Sequence, residues 1–324
     1  MTRRKLLIAA ALGAAALGHG LAFAQTYPSK PIKLIVGYAP GGSADITARL
    51  VADKLRTELG QSVIVENRPG AGGNIGTEVV AHAAPDGYTL LLAAAGQIVI
   101  NPSMYKKLSF DVAKDLVPVT QIQTEHNLMV VTPSLPVNTV DELVAYGKAN
   151  PDKLTFASPG GGSPAHLAGE LLNQKTGIKA RHVPYKGSAP ALNDLMAGHV
   201  AMAIDNMPAL LPQVRAGKLR ALAVASSKRA AAAPDIPTAE EAGLKGYVVT
   251  AWKGLMAPAG TPPAVINRLH AAMVKVLAAP ETKERMVAMG AEPVGSTPEQ
   301  FGQLIKAETA SWSALVKSTG AFLE

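Results

Sequence analysis

The strongest constraint on the fold is the rhythm of the chain beyond residue 30: short β-rich runs alternate with amphipathic helical stretches, many of them joined by glycine-rich loops. Such alternation predicts an α/β protein with a largely parallel sheet. Ile32–Val36 reads as the first buried strand, and a helix is expected from Ser43, with Ile46, Leu50, Leu55 and Leu59 inward and Gly60 ending it. Strands follow at 63–66 and 89–93, with a helix between them from Asn74 to about Ala84. A second half begins near His126, with strands at 128–131, 153–157, 181–183, 200–204 and 219–225 and helices at 140–150, 164–172 and 188–197. Tyr247–Met256 reads as a long strand leading out of that half. Two C-terminal helices are then expected: one from Thr261-Pro262-Pro263, with Val265, Leu269, Met273 and Val276 on one face, and one opened by the capping box Thr297-Pro298-Glu299-Gln300.

Packing the final helices back onto the first half makes the chain cross between lobes twice, near 120–132 and 246–256. Two crossings make a hinge, and a hinge between two α/β lobes makes a cleft. The expected organisation is residues 25–125 and 250–324 as one lobe and 126–249 as the other; a single continuous sheet is the less favoured alternative.

The N-terminus carries a basic Arg3-Arg4-Lys5, an apolar stretch from Leu6 to about Leu21 and the small-x-small Ala22-Phe23-Ala24. This predicts a signal peptide over residues 1–24, cleaved before Gln25, and a periplasmic protein. Sec export is favoured, with Thr2-Arg3-Arg4-Lys5-Leu6-Leu7 leaving the twin-arginine route open. No later segment is long and apolar enough to span a bilayer. There is no cysteine, so lipid attachment, disulfides, thiolate metal sites and cysteine nucleophiles are excluded. The formal charge of +7 falls to +4 once Arg3, Arg4 and Lys5 leave. The remaining charges are scattered and aromatic residues make up only 4%, which argues against a nucleic-acid surface and suits small anions. The seven histidines show no metal-ligand spacing, so no metal or cofactor is expected.

Two loops rhyme. Tyr38-Ala39-Pro40-Gly41-Gly42-Ser43-Ala44-Asp45 and Ser158-Pro159-Gly160-Gly161-Gly162-Ser163-Pro164-Ala165-His166 each follow a strand and open a helix. Backbone amides at the positive end of a helix dipole form a ready site for a carboxylate or phosphate. One such loop per half implies an anion held from both sides; ordinary strand-to-helix turns would explain either loop alone. The candidate ligand-binding residues are Tyr38, Pro40, Gly41, Gly42, Ser43 and Asp45 from the first loop and Ser158, Gly161, Gly162, Ser163 and His166 from the second. His166 could donate to an anion or simply cap and pack. Gly96, Gln97 and Asn101 could complete the first lobe's wall. Tyr185 and Asp205 sit where a strand meets a helix in the second half, and Lys186 could counter an anion or lie in solvent. Asn67–Gly76 misses the glycine spacing of a dinucleotide fingerprint and reads as a structural turn. Ser163 and His166 lack a third partner and a nucleophile elbow, which disfavours a hydrolase.

Taken in order along the chain, Tyr38–Asp45, Glu66–Gly73, Asp86-Gly87-Tyr88-Thr89-Leu90, Val183-Pro184-Tyr185-Lys186-Gly187 and Ala257-Pro258-Ala259-Gly260-Thr261-Pro262 resemble the extracytoplasmic receptors of tripartite tricarboxylate transporters, the Bug-type receptors. The resemblance implies a type II periplasmic-binding-protein fold and delivery of a small carboxylate to the permease subunits of such a transporter. It also implies that one ligand carboxylate is held mainly by backbone amides and ordered waters of two opposed loops. Those loops match Tyr38–Asp45 and Ser158–His166. Only Gln97, in the bland Ala93-Ala94-Ala95-Gly96-Gln97, offers a side chain for the ligand's far end. Dicarboxylates, aromatic acids and amino acids all stay open, with an uncharged or second-carboxylate tail favoured. A monomeric, non-enzymatic receptor is expected; a sensing subunit presenting the same ligand, or more remotely a hydrolase using Ser163 and His166, is the alternative.

Overall fold

A computed structural model describes residues 27–151, 153–320 and 322; the signal peptide expected at residues 1–24 lies outside them. Ten strands are hydrogen-bonded in one network: β1 (Ile32–Val36), β2 (Val63–Asn67), β3 (Thr89–Ala94), β4 (Leu116–Val131), β5 (Thr155–Ser158), β6 (Arg181–Pro184), β7 (Met202–Asn206), β8 (Arg220–Val224), β9 (Thr250–Pro258) and β10 (Ala291–Pro293). The main helices are α1 (Ser43–Leu59), α2 (Asn74–Ala81), α3 (Val140–Ala149), α4 (Pro164–Thr176), α5 (Ser188–Met196), α6 (Met207–Arg215), α7 (Pro263–Ala278), α8 (Pro280–Ala288) and α9 (Pro298–Thr319). None of the described helices is long and apolar enough to cross a membrane.

The architecture is two α/β lobes of the type II periplasmic-binding kind, and β4 explains how they join. Up to His126 it runs antiparallel to β9, with Leu116 opposite Pro258 and His126 opposite Thr250. From Asn127 onward it pairs with β7 and β8 instead. One strand therefore belongs to both sheets. The first sheet has the order β2-β1-β3-β9-β4, with β1 parallel to β2 and β3. The second runs β4-β7-β5-β6, with β5 parallel to β6 and β7. The expected strand at 128–131 is thus the end of a 16-residue strand. Its first part was hidden by Pro118 and by polar Thr120, Gln121, Gln123 and Thr124 in an otherwise apolar frame. The strands are also joined in one network, because β4 carries both sheets.

Each sheet is covered on both faces. In the first lobe, Leu34, Val36, Leu90 and Leu92 pack with Leu55 of α1 and with Leu269, Met273 and Val276 of α7. On the opposite face Ile35, Leu91 and Met256 pack with Phe301 and Val316 of α9. The second lobe has its own pair of clusters, around Phe156, Met202, Ile204 and Tyr247 on one face and Leu128, Val130, Leu195 and Leu210 on the other. Burial of an apolar residue on each face of a parallel strand is what an α/β sheet demands. The C-terminal helices do pack back on the first lobe, and α9 starts with the anticipated capping box, Thr297 with Gln300.

Gly254 on β9 sits under the Phe301 ring, and a Cβ there would overlap the ring and lie 3.1 Å from the Thr120 carbonyl oxygen. Gly254→Ala is expected to destabilise by about 1–3 kcal/mol through overpacking, measured as a lower midpoint of chemical unfolding with an unchanged slope.

Candidate functional site

The parallel topology sends the carboxyl ends of β1, β5, β6 and β7 toward the line where the lobes meet, and the helix after each strand begins there. α1 starts after Gly42, α5 after Gly187 and α6 after Asn206, and none of the three has a side-chain cap on its first amides. α4 starts after Ser163, whose hydroxyl accepts the His166 backbone N–H at 3.1 Å. Gly42, Ser43, Ala44, Ser163, Pro164, Ala165, Ser188 and Asn206 border one small cleft, with Tyr38, Asp205 and Lys253. Four helix N-termini therefore converge on one cavity, and the uncapped N–H groups of α1, α5 and α6 place partial positive charge around it without a formal cation.

The lobes are closed over this cleft. Ala39 N–H donates to the Lys186 carbonyl across the gap at 2.9 Å. A Cβ on Gly42 would lie 3.3 Å from Ser188 Cβ, and one on Gly72 would overlap the Gly161 carbonyl of the other lobe. The free space left is about 30 Å³, room for two or three waters at roughly 10–15 Å³ each. A larger, shallower groove between α9 and residues 98–118 gathers no such set of helix N-termini.

The anticipated residues divide by what they touch. Tyr38, Gly42, Ser43, Ser163 and Asp205 border the cleft. Gly41 and Pro40 are exposed at its rim. Asp45 shapes the first loop from below, accepting from Gly41 N–H at 2.9 Å, Arg49 Nε at 2.9 Å and Asn67 Nδ2 at 3.0 Å. Burial would raise its carboxyl, but Arg49 and the two amides outweigh burial and hold it below the usual range. Ser158 folds the second loop, bonded to His182 Nε2 at 2.7 Å and to Gly160. Tyr185 turns away, donating to Asp194 at 2.6 Å, and Lys186 is exposed. Gly96, Gln97 and Asn101 do not border the cleft. Gln97 packs against Gly37 and Gly73, and Asn101 lies against Gly72 and Gly162. The nitrogen and oxygen of the Gln97 side-chain amide and the Asn101 oxygen are buried without partners.

His166 packs instead of presenting a charge. Its ring stacks on His182 at 3.8 Å and its Nδ1 accepts the Gly162 N–H at 3.3 Å. Burial lowers its pKa to about 4, and burial with the neighbouring His166 lowers that of His182 to about 3. Ser163 Oγ donates to the Gly160 carbonyl at 2.7 Å and has no bond to the His166 ring among the described residues, so this pair is not arranged as nucleophile and base. Among the described residues no group of His, Asp and Glu could hold a metal.

Two charged residues at the cleft were not anticipated. Lys253 of β9 is 3% exposed and borders the cavity, and Glu125 of β4 is fully buried beside it. The signal was available: Lys253 interrupts the apolar run Tyr247–Met256, and a charge inside such a run must find a partner.

A family model for the tripartite tricarboxylate transporter family receptor matches residues 47–321. The chain belongs to that family. Protein BugT of Bordetella pertussis is 42% identical over 302 residues, 93% of each chain. Among solved structures, R. palustris Rpa4515 with adipate is 37% identical with a TM-score of 0.89, covering 91% of this chain and 98% of that one. MatC (Rpa3494) from Rhodopseudomonas palustris with bound malate is 34% identical with a TM-score of 0.86, covering 90% and 100%. Both the family match and these structural relatives place the chain among the receptors of tripartite tricarboxylate transporters.

Because His166 and His182 are held neutral, their contribution to stability is complete above the unfolded value of 6.5 and is lost as pH falls toward about 4 and about 3. Unfolding monitored from pH 7 to 5 should show a loss on the order of 2 kcal/mol per histidine, about 3–4 kcal/mol for the pair, and His182→Phe should remove about half of it.

Proposed function

We propose that the mature receptor captures a small carboxylate in the periplasm between the loops Tyr38–Asp45 and Ser158–His166 and delivers it to the membrane subunits of a tripartite transporter, without chemistry of its own. The observation that carries the reading is the convergence of the α1, α4, α5 and α6 N-termini on one closed cleft. An anion there is stabilised by amides and dipoles that cost no reorganisation when it arrives. Ser43 and Ser163, whose hydroxyls donate to Glu125 Oε1 and the Gly160 carbonyl, hold the helix starts in place, Asp45 and Ser158 hold the loops in shape, and Asp205 orients the Asn206 N–H, which donates to it at 2.7 Å. Adipate and malate in the two structural relatives support a carboxylate as the ligand class. A ligand cannot enter 30 Å³ of free space, so capture requires the lobes to part about β4 and β9. The unpartnered amide of Gln97 and the Asn101 oxygen would become accessible in that open form.

Thermal unfolding with millimolar carboxylates tests the reading. A ligand at a hundredfold excess over its Kd raises stability by about 2.7 kcal/mol, and the absence of any shift across aliphatic, aromatic and amino acids would reject it. Ser163→Ala should weaken the effective acid at least tenfold and cost about 1 kcal/mol of stability through the lost cap. Asp45→Ala should weaken it too by releasing Gly41. Binding as tight as wild type in both variants would misplace the site.

A further inference from the structure

Among the described residues bordering the cleft, only Asp205 and Lys253 are charged. Lys253 stands on β9 at the hinge, with its Nζ 2.7 Å from Glu125 Oε2 and 3.4 Å from Asn206 Oδ1. Glu125 is saturated in turn: its Oε1 accepts from Ser43 Oγ at 2.6 Å and from Gln123 Nε2 at 2.6 Å. An ammonium has three donors, and the described contacts occupy two of them. The carboxylate of Glu125 cancels the ammonium's charge and fixes its position, so the cleft floor presents a directed N–H donor more than a net positive field. Burial pushes the Asp205 carboxyl up, against hydrogen bonds from Ser188 and the Asn206 N–H and the charge of Lys253, which pull it down.

We propose that Lys253, held by Glu125, is the specificity-determining residue of the cleft: its remaining N–H donates to a second acceptor oxygen on the ligand and selects hydroxy-, keto- or dicarboxylates over acids with an apolar tail. A buried donor left without an acceptor disfavours the analogue that lacks the oxygen, and sites built to hydrogen-bond a ligand group discriminate far more steeply than apolar pockets do. Glu125 acts through Lys253 and is a positioning residue. The inference rests on the carboxylate-receptor reading and adds to it the group that reads the ligand's other end.

Titration calorimetry on the mature protein with the matched pairs lactate and propionate, succinate and butyrate, and adipate and hexanoate tests it. Wild type should bind the oxygen-bearing member of at least one pair ten times more tightly or better. Lys253→Met strands a buried carboxylate, so the double variant Glu125→Gln with Lys253→Met, which leaves no charge alone, is the decisive protein. In it the ratio within the pair should collapse to within about threefold. A ratio that stays at the wild-type value in the folded double variant, or no preference in wild type, overturns the role of Lys253. Wild type binding neither member of any pair would instead count against the receptor reading, so the two failures are distinct.

Discussion

β4 has to satisfy two sheets at once. Its partner changes between His126, opposite Thr250 of β9, and Asn127, opposite Asn206 of β7. At that change the side chains are polar and bonded across the junction: Asn127 donates to the Val249 carbonyl at 2.8 Å, and Asn206 donates to Asn127 at 2.9 Å. A backbone that leaves one sheet for another would otherwise expose unpaired groups in a buried place. The same change turns the carboxyl ends of β1, β5, β6 and β7 toward one another. The helix N-termini that follow those strands then have nowhere to point except into the shared cleft.

On the proposed reading, recognition in this receptor is distributed over the backbone. No arginine borders the cleft, and the one lysine there is neutralised by Glu125. Helix N-termini stabilise an anion by a few tenths to about 1 kcal/mol each at exposed sites and more where water is excluded, so several together can replace a cation. Such a cradle is indifferent to what lies beyond the carboxylate, which leaves selection to side chains further along the cleft. A family serving many acids on one fold needs that separation of tasks.

Local signals made much of this legible. Gly60 ending the Ser43 helix, the Thr297 and Gln300 capping box, and the two rhyming loops are written in short range, where backbone preference and capping chemistry act. The start of β4 was not legible, because its residues serve a sheet edge, a bulge and a polar hinge cluster together and follow no single period. Gln97 and Asn101 follow β3 as the loop order implied, but they face the glycine loop at 70–73 in the closed form. Which way a loop side chain turns depends on the other lobe, and a single sequence does not carry that information. The role of Lys253 is hidden for a related reason: its partner Glu125 is 128 residues away, and only the pairing of β4 with β9 brings them together.

The central claim is that uncapped helix amides hold a carboxylate. The most direct measurement compares, by titration calorimetry, the best-binding acid with its primary carboxamide, which keeps the shape and loses the charge. The account predicts that the amide binds at least a hundredfold more weakly. An amide that binds as well as the acid would contradict it, and recognition would then have to come from shape and the side chains of the cleft.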